Sequence, residues 1–282
     1  MQTIDISTMS IRNANEILRG YGSTHQNVEV INPDAKHYIG VGLINPIRVK
    51  IRGSAGYYCG GLTDGPDFEI EKNVSWGVGD NMFLGSIVVG GNAGAIAGVG
   101  LRGGEIVVKG NIGSRAGQVM KKGTLCCAGK ANFLAGYMMY GGRLIILGNS
   151  GPRVGEDMMG GEIYVGGEVE SLGSDAMIVE PTDENIESVM TFLEKYQIPF
   201  RGTFKKIVCS GKLLKYATPE PRIRNLPFHS FSGKKVDYWN NKVQEDLQVK
   251  ATIGRYRIRG YGAARKIPHF DDIAFKRDLV NI

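Results

Sequence analysis

At 282 residues the chain has room for one long domain or two ordinary ones, and 42% hydrophobic with 22% charged residues is the balance of a globular protein rather than a disordered or fibrous one. Glycine stands apart: 41 residues is about twice the usual ~7%, yet there is no triplet period and only 10 prolines, which excludes collagen and points to repeated tight bends. The net charge of +6 is unevenly placed, with 16 Lys+Arg against 21 Asp+Glu in residues 1–200 and 18 against 7 in residues 201–282, so the basic character belongs to the C-terminal segment.

In chain order, Met1–Ile6 lacks the basic region and apolar run of a secretory signal, and no stretch of about 18 apolar residues occurs anywhere. A cytoplasmic protein without a membrane span is expected. Residues 9–19 read as a short helix ended by Gly20, and residues 25–45 as a lead-in to the first repeat. Residues 1–46 are therefore expected to form an N-terminal cap.

From residue 47 the chain repeats itself every 19 residues. Gly85-Ser86-Ile87-Val88-Val89 returns as Gly104-Glu105-Ile106-Val107-Val108, then at Gly123, Gly142 and Gly161, and backwards at Pro66 and Ile47, which makes seven copies. A second column holds Gly60, Gly79, Gly98, Gly117, Gly136 and Gly155, and a third holds Met82, Leu101, Met120, Met139 and Met158. Alternation such as Ile106 and Val108 against Glu105 and Val107 has the period of a strand. A unit this short has no room for a crossover helix. Each copy must therefore make one turn of a coil whose strands stack in parallel, with like residues about 4.8 Å apart in ladders. The predicted fold is all-β: a right-handed parallel β-helix of about seven 19-residue coils over residues 47–180, right-handed because parallel connections almost always are. The six glycines of the second column are expected to occupy its corners.

Beyond the coils, Ile186, Val189, Met190 and Leu193 come after Pro181-Thr182-Asp183 at helical spacing, so an amphipathic helix is expected over 182–196, within a segment 181–200 that covers an end or flank of the solenoid. Residues 201–282 read as a basic, extended tail. Pro219, Pro221 and Pro227 argue against compact structure there, and Tyr238 and Trp239 are candidate anchors on a partner chain. Basic residues among aromatics also suit nucleic acid, but no nucleic-acid-binding motif is present and an acidic partner subunit is preferred.

Sites of chemistry are sparse. Gly98-Val99-Gly100-Leu101-Arg102-Gly103 matches a dinucleotide fingerprint, but a strand comes after it where a helix is required. Cys59, Cys126, Cys127 and Cys209 contain no C-x-x-C pair, and His25, His37, His229 and His269 have no metal-ligand spacing. Arg115 and Arg153 share a column with Ile96 and Leu134, on a wall that either meets a partner or is simply solvated. The acids Asp67, Asp80 and Asp157 are scattered, which disfavours an enzyme with its active site on the solenoid wall. No catalytic, cofactor-binding or metal residue is assigned.

The G-x-[IL]-x-V-x-G ladder over 47–167, with its second glycine column, resembles the GXGXG domain family. Met1-Gln2-Thr3-Ile4-Asp5, Gly56-Tyr57-Tyr58-Cys59-Gly60, Ser171-Leu172-Gly173-Ser174-Asp175 and Gly260-Tyr261-Gly262-Ala263-Ala264-Arg265-Lys266 extend the resemblance toward stand-alone subunits of glutamate synthase and N-methylglutamate synthase type complexes. The resemblance implies a non-catalytic scaffold in a hetero-oligomer, joining a class II glutaminase subunit to a synthase subunit that binds FMN and an iron–sulfur cluster, in amino-acid biosynthesis. Gln2 after Met1 provides no N-terminal cysteine nucleophile, and no alternating strand–helix pattern suits an FMN barrel, so no cofactor is expected in this chain. The alternative with the same fold is a subunit of a formylmethanofuran dehydrogenase or formyltransferase/hydrolase complex.

Overall fold

The structure, a computed structural model, describes residues 2–21 and 27–211. In chain order these form β1 (Gln2–Asp5), α1 (Ile11–Gly20), β2 (Asn27–Ile31), β3 (Arg48–Ile51), β4 (Asp64–Ile70), β5 (Leu84–Val89), β6 (Glu105–Val108), β7 (Thr124–Cys127), β8 (Arg143–Ile146), β9 (Glu162–Val165), β10 (Ala176–Val179), α2 (Asp183–Lys195) and β11 (Lys205–Cys209).

The strands stack in sequence order from β1 to β9, all parallel, so the fold is a parallel β-helix. From β3 to β9 the aligned partners are 19 residues apart, as in Ile87↔Ile106 and Leu125↔Leu144. A second line of parallel bridges, Ala55↔Val74↔Ala93↔Ile112↔Ala131↔Ser150, runs along another wall. Between the two walls lies a closed core. Ile87, Ile106, Leu125 and Leu144 form one ladder, Met82, Leu101, Met120, Met139 and Met158 a second, and Ala97, Ala116 and Ala135 a third, all with no exposed surface. Ladders of like residues place side chains of similar size one above another, which favours the close packing of a protein interior.

Residues 27–46, expected as a lead-in, join the solenoid. β1 and β2 are rungs of the sheet, and Gly40 has the corner conformation (φ +72°). The period hides this because β2 pairs with β3 at a separation of 21 residues, as in Val28↔Val49. Between β1 and β2, α1 closes the N-terminal end, with Ala14 and Leu18 buried in the core. The buried Asn15 takes the place of a missing coil. It donates to the Tyr38 carbonyl (2.9 Å) and accepts from the Gly40 N–H (2.8 Å), the kind of main-chain link that each coil otherwise makes to its neighbour.

The other end is closed by a single strand of opposite sense, set between β9 and β10. β11 pairs antiparallel with β9 and with β10. The expectation of an extended tail from residue 201 therefore does not hold for Lys205–Cys209, which complete the sheet of their own chain rather than reaching a neighbour. The unpaired edge of the last coil supplies the reason, since it gains a full row of hydrogen bonds.

α2 begins at a capping box in which Asn185 N–H donates to Thr182 Oγ1 and Thr182 N–H to Asn185 Oδ1. It lies on the outer face of the sheet. Val189, Phe192 and Leu193 cover Val107, Cys126, Ile145 and Tyr164 in a second buried cluster completed by Ile198 and Phe204. Asn185 meets Lys206 of β11, Ser188 meets Arg143 of β8, and Lys195 meets Glu105 of β6, so the helix runs along the stack. Thirteen residues at ~1.5 Å each give about 20 Å, matching four rungs at ~4.8 Å from β11 to β6.

Candidate functional site

Gly60, Gly79, Gly98, Gly117, Gly136 and Gly155 all lie at turns with φ between +65° and +74°. Gly98-Val99-Gly100-Leu101 lies in one such turn, with Leu101 in the core ladder and β6 next in the chain, an arrangement that offers no helix N-terminus to a pyrophosphate. The turns do more than the glycines alone indicate. Residues two before and two after the glycine are also left-handed, for example Arg115 (φ +58°) and Val119 (φ +48°) around Gly117.

A ladder that the sequence reading missed lines a third corner. Asn73 Oδ1 accepts from Asn92 N–H (2.8 Å), and Asn92 Oδ1 from Asn111 N–H (2.7 Å). Asn111 Oδ1 in turn accepts from Lys130 N–H, and Asn149 Oδ1 from Glu168 N–H. The signal was available, since Asn73, Asn92, Asn111 and Asn149 lie at multiples of 19 residues.

The thiols are core atoms. Cys127 faces inward, Cys126 outward beneath α2, and Cys59 lies among the corner ladders, all fully buried. Burial pushes the pKa of each of these three to about 12, so none is a thiolate at neutral pH. Cys209 is half-buried on β11. Arg153 pairs with Glu156 (2.7 Å), and Arg115 is exposed. Among the described residues no group of three or more His, Cys, Asp or Glu is arranged to hold a metal ion, and no helix is long and apolar enough to cross a membrane. Tyr238 and Trp239, with His25, His229 and His269, lie outside the described residues.

Among the described residues, two surfaces gather polar or aromatic side chains in one place. The first is a pair of open grooves beside α2, about 470 and 590 Å³, with Glu105 and Lys195 common to both. Several of their polar groups are committed to one another. Lys195 and the Tyr196 hydroxyl both donate to Glu105, and burial, followed by this hydrogen bond, raises the Tyr196 pKa. Arg143 donates to Ser188 Oγ (2.8 Å) and to Thr124 Oγ1 (3.4 Å). A hydroxyl held by a guanidinium has no base to take its proton, so neither is activated as a nucleophile.

The second surface is aromatic. His37 stacks on Tyr57 at 4.3 Å, Tyr57 meets Trp76 at 5.7 Å, and Tyr38 stacks on Tyr58 at 5.8 Å. These rings lie on the corners of the first coils, and Tyr38, Tyr57 and Trp76 keep 50%, 37% and 56% of their surface in water. Leu62, Phe83 and Leu84 are also exposed on these coils. Large wet apolar rings held on a rigid frame are a mark of a contact surface.

The sequence matches the family described by the GXGXG motif over residues 8–197, from before α1 to the turn after α2. The chain belongs to the GXGXG motif family. The match takes in the coil 27–46 that the strict period leaves out. Among curated proteins, Protein GlxC of Rhizobium meliloti (strain 1021) is 36% identical over 91 residues, 32% of this chain and 40% of that protein. The aligned segment is thus less than half of that relative's length.

Proposed function

We propose that this GXGXG chain is a structural subunit of a glutamate synthase type complex, serving glutamate or N-methylglutamate synthesis. In this reading it joins a class II glutaminase subunit to an FMN-binding synthase subunit that also carries an iron–sulfur cluster, and it has no active site of its own. Membership of the GXGXG family and the partial likeness to GlxC support the family half of the reading.

The observation that carries the scaffold half is the exposed ladder His37–Tyr57–Trp76 with Tyr38 and Tyr58. Its rings are held by a closed, fully packed core, so presenting them costs a partner little ordering. The test is reconstitution with a class II glutaminase chain and an FMN-binding synthase chain from the same source. Glutamine-dependent product formation should require all three chains. Trp76→Ala, at a position 56% exposed, should leave the melting temperature of the isolated chain unchanged and weaken assembly by about 2 kcal/mol, the loss typical of a central aromatic contact. Full activity from the other two chains without this one would overturn the reading.

A further inference from the structure

Charge on the first strands of the sheet follows a rule that a corner column breaks. Where charged residues stack on neighbouring rungs, opposite signs meet: Lys50–Glu69 at 2.6 Å, Arg48–Asp67 at 3.9 Å, and Arg52 with Glu29. The residue just past the Met ladder behaves differently. Phe83, Arg102, Lys121 and Tyr140 are equivalent in four successive coils, each main-chain N–H donating to the coil before: Phe83 to Thr63, Arg102 to Met82, Lys121 to Leu101 and Tyr140 to Met120. Two cations thus stack like on like, about 4.8 Å apart at the backbone. Lys122 lies beside them, and an exposed aromatic ring stands at each end. Among the described residues no carboxylate pairs with Arg102, Lys121 or Lys122. Arg102 contacts Asn81 Oδ1 (3.4 Å) and the Phe83 ring (5.2 Å). The Lys121 ammonium is held below its ordinary pKa, first by partial desolvation and then by Arg102. Such a stack is unfavourable in the free chain and is relieved by an anion set between its members.

We propose that the column Phe83–Arg102–Lys121–Tyr140, with Lys122 and Leu84, is a docking surface for an acidic segment of another polypeptide, whose carboxylates neutralise Arg102 and Lys121 while its apolar side chains cover Phe83, Leu84 and Tyr140. The inference does not depend on which complex the chain serves. Three cations are too few for a nucleic acid tract, whose affinity rests on many phosphate contacts, and the flanking surface is apolar: Leu84 is 59% exposed and Leu62, on the neighbouring corner, 52%. Carboxylates flanked by apolar groups match both features.

The test uses the full chain and a fluorescein-labelled decapeptide of alternating Glu and Leu, monitored by anisotropy. Arg102→Glu/Lys121→Glu should weaken binding about tenfold, as expected for reversing two partly shielded contacts. Lys109→Glu/Lys130→Glu makes the same change in net charge on other columns and should alter binding less than about twofold. Arg102→Gln/Lys121→Gln gives a milder loss in the same direction, and Phe83→Ser weakens binding without changing charge. Carbodiimide cross-linking should join the peptide to Lys121 and Lys122. Equal losses from the two charge-reversed pairs, an unchanged affinity for Phe83→Ser, or a labelled oligonucleotide binding at this column more tightly than the peptide would each overturn the proposal.

Discussion

At Gly117 a Cβ would meet Met120 Sδ at 3.7 Å and Leu144 Cδ2 at 3.8 Å, ordinary contacts, so only the left-handed backbone (φ +68°) opposes a side chain. At Gly136 the same conformation (φ +74°) is joined by a 2.4 Å approach to Ile163 Cδ1. Gly117→Ala is therefore expected to cost about 1–2 kcal/mol, and Gly136→Ala about 1 kcal/mol more because Ile163 must move. Arg115 is exposed and equally left-handed (φ +58°), so Arg115→Gly should leave stability unchanged or raise it by up to about 1 kcal/mol. Thermal melts of the three variants check this, and equal losses at all three positions would contradict it. The thiols give a second test. With Cys59, Cys126 and Cys127 buried, an alkylating reagent should label only Cys209 among the four under native conditions.

The acids at the last corner respond to pH with opposite signs. Glu156 is held below the ordinary carboxylate range, chiefly by Arg153, with Ser174 N–H also donating to it, so its contribution is present at neutral pH and is lost as pH falls through its lowered pKa. Asp157 is raised, first by burial and then by Glu156 and Asp175, so its charged form opposes folding at neutral pH and that penalty disappears as pH falls through its raised pKa. Asp157→Asn should raise the melting temperature at pH 7, with a gain that shrinks on acidification. A residual gain independent of pH is expected because Asn tolerates the left-handed backbone at this position (φ +54°). Glu156→Gln should lower the melting temperature at pH 7. Melts across pH 3–8 measure both, and variants that change stability equally at every pH would contradict the assignment.

Among the elements, the two ends matter most, because a solenoid stack has no other place where backbone groups and core ladders meet water. Asn15→Leu keeps the apolar bulk of α1 but removes both links to Tyr38 and Gly40, and should cost about 1–3 kcal/mol, the usual loss for stranding buried polar groups. Phe192→Ala should cost about 3 kcal/mol by uncovering Cys126 and Ile145 beneath α2. Denaturant unfolding measures each. The elements also mark where sequence is informative. The coils from residue 47 were readable because period, alternation and ladder identity agree at every step. The coil before them was not, because a separation of 21 residues breaks the alignment although Val28 and Val30 alternate correctly. The seat of α2 was readable in principle in the outward column Lys50, Glu69, Val88, Val107, Cys126, Ile145, Tyr164, which turns from charged to apolar where the helix begins to cover it. β11 carries no such signal, since antiparallel addition to the end of a stack leaves no trace in the period. The exposed aromatic ladder was visible only as the isolated segment Gly56-Tyr57-Tyr58-Cys59-Gly60, because stacking with His37 and Trp76 depends on the register of neighbouring coils.

At the scale of the described residues, the ladders bury their side chains in the core, and the exposed rings and cations lie on the corners and walls. The surface is divided: α2 covers the sheet from β6 to β11, while the corners of the first coils keep rings in water and cations unpaired. The most direct measurement is the composition of the complex recovered from source cells through a tag on this chain, by native mass spectrometry with flavin absorbance recorded alongside. The account predicts fixed stoichiometry with two other chains, one a class II glutaminase and one carrying FMN, and no flavin on this chain once it is separated. Recovery of this chain alone, or with formyl-transferring partners and no glutaminase, would contradict it.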